Sequence, residues 1–226
     1  MDRDPVDWHI VMVGRTHQIQ LLDLIDLVQS NITRFIRDIV TRRETEAHEW
    51  LLSAIPPENL APVEELEAYR ESKIEKNVEE MPATLYSALF ASSYHFFEHD
   101  LNELCRIMER ENGLSSYNDW RRDRGIHRAK SYLRREGGIN FPSGGSDWEL
   151  IVSYGKLRNL IAHNGARLDG SAQAAAIEPF VRGRTDLSVN QDGDILFTRD
   201  FASSAADHLR DFWLELAFVF SPEKYE

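Results

Sequence analysis

Residues 90–108 read FASSYHFFEHDLNELCRIM. Phe90, Tyr94, Phe97, Leu101, Leu104 and Met108 return every three or four positions, which makes one apolar stripe along a helix. Asn112-Gly113 supplies a stop of the helix C-cap kind, and Pro82 is read as the opening of this helix. Upstream, Leu21, Ile25, Val28, Ile32, Phe35 and Ile39 keep the same rhythm, so His17 to about Ala54 reads as one long helix that Pro56 and Pro57 end. Between the two lies a short acid-rich helix, Pro62 to Glu80, with Glu64, Glu65, Glu67, Glu71, Glu75, Glu79 and Glu80 and few apolar positions. Downstream, a basic stretch from Trp120 to Arg135 places Ile126, Ala129 and Leu133 on one side, and Gly137-Gly138 ends it. Ser146 with Glu149 three residues on is a capping-box pattern, and it opens a helix with Leu150, Tyr154, Leu157 and Ile161 as its stripe, running to Gly165. Leu187–Val189 and Ile195–Phe197 flank Asp192-Gly193, a β-hairpin signal. A last helix, about Phe201 to Phe220, carries Ala205, Leu209, Phe212, Leu216 and Phe220 on one face. The expected fold is mainly all-α. It is a helical bundle with one small β-hairpin, preceded by an N-terminal helical pair over residues 17–80 that packs on the bundle or reaches out to a partner.

The chain has 226 residues and a formal charge of −12. So acidic a chain is not a nucleic-acid coat that works by bulk attraction, although a local basic site remains compatible with it. A single cysteine, Cys105, rules out an intramolecular disulfide and fits a reducing compartment. Met1 to Pro5 is acidic and polar, not a secretory signal, and no apolar run approaches the roughly 20 residues that span a bilayer. The cytoplasm is the expected location, with no membrane partner.

The helix that starts at Ser146 ends Lys156-Leu-Arg158-Asn159-Leu-Ile-Ala-His163-Asn164-Gly165. At about 100° per residue, Arg158 lies roughly 70° from the apolar stripe, while Asn159 and His163 lie nearly opposite it. Arg158 and His163 are about 7.5 Å apart along the axis. A guanidinium holds a phosphate bidentately. An imidazole exchanges a proton near neutral pH, and an amide orients a hydroxyl or a phosphate oxygen. Together they suit phosphodiester cleavage without a metal, with the RNA 2′-hydroxyl as nucleophile. Two copies about a twofold axis would bring two Arg and two His to one phosphate. Taken alone, an Arg-x-x-x-x-His pair is short and common, and most such pairs are ordinary surface residues capping a helix.

The stretch Ser146 to Arg167 resembles the signature helix of the HEPN superfamily, in which Arg and a polar residue precede His by a few positions and a Gly-containing turn follows. Arg158, Asn159, His163 and Gly165 match it. Residues 96–105, Phe-Phe-Glu-His-Asp-Leu-Asn-Glu-Leu-Cys, resemble the first core helix of many members, and the likeness covers residues 83–221. It implies an up-and-down helical bundle over residues 83–221 that forms a homodimer through the signature helix, with residues 1–80 left as an N-terminal helical extension. It also implies a cofactor-free, metal-independent endoribonuclease. Such enzymes serve in toxin–antitoxin or phage-defence systems, so an antitoxin or effector protein is an expected partner. Arg158 and His163 would be the catalytic pair and Asn159 the polar helper, with Glu98 or His99 supporting the catalytic His. Some members are inert and only dimerise or bind RNA or protein, which is the alternative reading of this chain.

Arg121, Arg122, Arg124, Arg128, Lys130, Arg134 and Arg135 are seven cations within residues 121–135. They are candidates for an RNA-backbone surface, or for a solvated face paired with the acidic residues 64–80. His95-Phe-Phe-Glu98-His99 reads as a polar helix face at the dimer groove, where Glu98 or His99 would support the catalytic His. It also matches an inverted zinc-protease pattern, the remote alternative of a zinc hydrolase, although no third ligand is marked, and no metal is expected. Cys105, beside Leu101, Leu104 and Met108, reads as a buried small hydrophobe. Gly144-Gly145 lacks the Lys-Ser/Thr sequel of a P-loop.

Overall fold

The computed structural model describes residue 6 and residues 9–54, 63–121, 123–144 and 146–220. Met1–Pro5 and Arg122 lie outside the described residues, as do the side chains of Phe35 and of Glu64, Glu65, Glu67, Glu71, Glu75 and Glu79. A π-helical turn, His9–Gly14, leads into α1, Arg15–Ala54. There follow α2, Val63–Asn112; α3, Gly125–Arg135; α4, Ser146–Asn164; α5, Ala172–Arg182; the strands β1, Leu187–Val189, and β2, Ile195–Phe197; and α6, Arg199–Phe220. The mainly α-helical architecture with one hairpin is the one expected. Among the described residues no helix is long and apolar enough to cross a membrane.

The stripe of residues 90–108 is the spine of the core. Phe90, Phe97, Leu101 and Leu104 are fully buried, and Tyr94 and Met108 nearly so. Phe97 meets Phe212 and Trp213 of α6 with ring centroids 5.6 and 5.8 Å apart. Phe90 meets Tyr154 of α4 at 5.6 Å and Phe201 of α6 at 5.1 Å. These offset and edge-to-face contacts add directional preference to the burial of large apolar surfaces.

Pro82 does not open a helix, and the acidic segment is not a separate one: both lie inside the 50-residue α2. Proline fixes φ near −65°, itself a helical value, and removes one backbone bond. Here the helix continues through it, and on its far side Ala83, Tyr86, Ser87 and Phe90 are buried. The basic stretch is helical only from Gly125, not from Trp120. Arg124 is extended (φ −128°, ψ 157°) and Gly125 takes φ +53°, a left-handed value that suits glycine. The segment between α4 and the hairpin holds a helix that was not anticipated. In α5, Ser171 caps the first turn by accepting from the Ala174 N–H, and Ala174, Ile177 and Val181 are buried.

The start of the N-terminal region packs into this core. Val6 and Ile25 belong to the main buried cluster, whereas Ile32, Ile36 and Val40 form a small second one. His9 bonds the Asp100 carbonyl at 2.9 Å, and His17 Nδ1 meets the buried Asp100 carboxylate at 2.8 Å. Arg199 reaches Asp26 at 2.6 Å. In the hairpin, Leu187 pairs with Phe197 and Val189 with Ile195. The Asn190 side-chain oxygen accepts from the Asp192 and Asp194 N–H groups, and Gly193 takes φ +85° in the turn.

Helix α4 crosses α2 at a glycine. A Cβ on Gly155 would collide with the Tyr94 hydroxyl and lie 2.9 Å from the ring carbon that bears it. Gly155→Ala therefore overpacks this crossing and lowers stability by about 1–3 kcal/mol, measurable by urea denaturation, with an unchanged midpoint as the contrary result.

Candidate functional site

On α4 the side buried in the bundle is Trp148, Ile151, Tyr154, Leu157 and Leu160. Leu150 and Ile161, expected in the stripe, are half-buried at its edges. The opposite side carries the motif: Asn159 and His163 are exposed and Arg158 is half-buried. Arg158 Nη1 donates to Asn159 Oδ1 at 3.1 Å, which orients the guanidinium. The helix end is closed by Gly165, whose N–H donates to the Ile161 carbonyl at 3.1 Å, and by Asn164, which donates to Asp169 at 2.9 Å. Gly165 and Ala166 both take positive φ there, 61° and 65°.

Arg158 stands on the wall between two grooves. One, of about 400 Å³, is lined by Ser92, His95 and Phe96 of α2 and by Arg158, Ile161 and His163 of α4. The other, of about 290 Å³, is lined by Tyr94 and Glu98 of α2, by Arg124 and His127 at the start of α3, and by Lys156, Arg158 and Asn159. Burial pushes the Tyr94 hydroxyl above the usual phenol range, and the Glu98 charge adds to this. Tyr94 is therefore a neutral hydroxyl at physiological pH and cannot serve as a base. Glu98 lies on the Arg158 and Asn159 side, its carboxylate 3.0 Å from the position of a Cβ on Gly125. His95, rather than His99, shares a groove with His163. His99 is exposed and stacks on His95 at 6.4 Å.

The zinc pattern is divided by this arrangement, because Glu98 lines a different groove from His95. Among the described residues no three His, Cys, Asp or Glu side chains are placed to share a metal ion. Cys105 is fully buried and its thiol is pushed well up by burial.

The basic residues separate into two kinds. Arg128 turns inward: it donates to the Tyr117 carbonyl, its guanidinium carbon lies 4.2 Å over the Tyr117 ring, and its Nε is buried. It clamps the turn after α2 onto α3. Lys130, Arg134 and Arg135 instead line an open groove of about 420 Å³ with Asp123, His127 and Ser131. Lys130 Nζ lies 5.0 Å over the Trp148 ring, and burial, with Arg134 nearby, lowers its pKa. Arg121 and Arg124 are exposed on the segment before α3. Glu80, the last residue of the acidic run, lines a different groove of about 480 Å³ with Thr84, Asn190 and Asp194. Glu80 and Glu98 are 18 helical steps apart on α2, about 27 Å of helix axis. That groove is larger, but its lining has no cation, so it is not a phosphate site.

No protein-family model, curated protein or solved structure matches the chain.

His127 and Lys156 were not expected as groove residues, and His95 was expected on a polar face at the dimer groove or as a metal ligand, without His163 as its neighbour. The one available signal was His95 at the i, i+4 spacing from His99, which shows a shared face but not what faces it. The division among the cations has a measurable consequence. Arg128→Ala lowers stability by about 1.5–3 kcal/mol, the scale of a lost hydrogen bond to a charged group, while Arg134→Ala stays within about 0.5 kcal/mol of the parent. Equal unfolding midpoints for the two variants in urea would contradict the division.

Proposed function

We propose that the chain is a metal-independent endoribonuclease that works as a homodimer, with Arg158 and His163 as the catalytic pair and Asn159 as their polar helper. One observation carries the reading. An Arg, an Asn and a His leave the core together on the last turns of α4 and stand in open grooves, with no carboxylate ion-paired to Arg158 among the described residues. The resemblance of this helix to the HEPN signature gives the same assignment. It also supplies the expected setting: a cytoplasmic toxin–antitoxin or phage-defence system with an antitoxin or effector partner.

In the reaction the RNA 2′-oxygen attacks the adjacent phosphorus as one imidazole takes its proton. The bond from phosphorus to the 5′-oxygen breaks, and the leaving oxygen receives a proton from the other imidazole. The products are a 2′,3′-cyclic phosphate and a 5′-hydroxyl. Arg158 offsets the extra negative charge of the crowded phosphate. One chain has one such His, so a second copy meeting the first along α4 supplies both proton-transfer groups around one phosphate. The face beside α4 suits such a partner. Met81 and Leu85 of α2 are exposed, and with Ser92 they fall within about 40° of one helix face. Glu98 lines the Arg158 groove and stands to position the guanidinium, and the open α3 cations are the candidates for holding the RNA backbone.

The test is cleavage of mixed structured and unstructured RNAs in EDTA. The parent cuts. Both His163→Ala and Arg158→Ala lose at least about 10²-fold in rate while staying folded, the scale of one acid–base or charge-stabilising group. Equal cutting by parent and His163→Ala sinks the proposal, and absence of cutting by folded, dimeric parent favours an inert binding module.

A further inference from the structure

We propose that the α3 and α4 grooves form one track for a single strand of RNA, running from Arg134 and Lys130 past His127 and Arg124 to Arg158 and His163. Its far end point, the site of cutting, rests on the ribonuclease reading; the track itself does not. Three observations carry it.

The first is continuity. His127 lines both the α3 groove and the groove of Glu98 and Lys156, and Arg158 lines both that groove and the groove of His163. Each pair of neighbouring grooves thus shares a wall residue. The second is charge. In a chain of formal charge −12, Arg124, Arg134, Arg135 and Lys156 have no carboxylate partner among the described residues. Asp123 and Glu98 are the carboxylates on the track. Cations left without partners along a groove attract a chain of phosphates. The third is shape. The track turns at the extended Arg124 and at Gly125, whose φ of +53° sets the start of α3, and it ends where Phe96, 37% exposed, lines the groove beside His95. A single strand bends round such a turn and stacks bases on exposed rings, whereas an A-form duplex is rigid and offers its backbone and shape.

The two helical stretches, His127 to Arg134 and Lys156 to His163, together span about 20 Å, covered by roughly six stacked nucleotides.

The test uses the full chain and fluorescein-labelled 2′-O-methyl oligoribonucleotides of increasing length, read by anisotropy over a salt series in EDTA. These strands lack the attacking hydroxyl, so binding is read whether or not the protein cuts RNA. Affinity is expected to rise with length up to roughly six nucleotides and then level off. The double variant Arg134→Ser, Arg135→Ser is expected to flatten the slope of log affinity against log salt by about 1.4, and Lys156→Ser at the other end by about 0.7. Thermal melting checks that each variant is folded. Unchanged slopes in folded variants, affinity already saturated at a dinucleotide, or equal binding of duplex RNA each overturn the track. So does no binding by the parent, which would leave these cations to an acidic protein partner. Binding as expected without cutting of ordinary RNA would sink the ribonuclease reading and keep the track; cutting with unchanged slopes would do the reverse.

Discussion

The site depends on how closely α4 lies against α2. Gly155 leaves no side chain between the helices, and Tyr94 fills that space, its hydroxyl where a Cβ would be. With α4 held there, Leu157 and Leu160 face inward and are fully buried, and the residues between and beyond them are turned out by the helical repeat. Arg158 then comes to the edge of α2, beside Tyr94 and Glu98, and His163 to the groove of Ser92 and His95. The same contact removes Tyr94 from the chemistry. Its burial raises the phenol pKa and keeps it a neutral wall beside Arg158.

The packing of the bundle supports this crossing from behind. Phe90 touches Tyr154 of α4 and Phe201 of α6, and Trp148 touches Phe212, so α2, α4 and α6 meet through aromatic faces. The start of the chain is part of the same unit, with Ile25 in the main cluster and Asp100 of α2 tied to His9 and His17. The turn before α3 is fastened by Arg128 on Tyr117, which sets where Arg124 and His127 emerge next to α4.

Much of this was legible in the sequence where one helix face alone decided the matter. The stripe from Phe90 to Met108 and the outward turn of Asn159 and His163 both follow from helical periodicity. What the periodicity could not show has physical causes. Pro82 reads as a boundary because it breaks one backbone bond, yet its φ is helical and α2 runs on. Gly125 ends the helical reading of the basic stretch through its positive φ. On α4, neighbours on several sides bury Ile151 and Leu160 more deeply than Leu150 and Ile161. Helix α5 is alanine-rich and holds Pro179, which hid the stripe of Ala174, Ile177 and Val181. The meeting of His127 with Lys156 and of His95 with His163 joins residues from different elements, and Arg128 is distinguished from Arg134 by Tyr117, whose carbonyl and ring it meets.

If the α4 motif directs an attack of the RNA 2′-oxygen on its own phosphate, the cut ends carry the signature of that attack. Mass spectrometry of fragments produced in EDTA, from an RNA and from the same strand with a single 2′-deoxy nucleotide at the cut position, decides it. The expected result is 2′,3′-cyclic phosphate and 5′-hydroxyl ends from the RNA and no cut at the deoxy position. Ends bearing a 5′-phosphate, or cutting at the deoxy position, would contradict it.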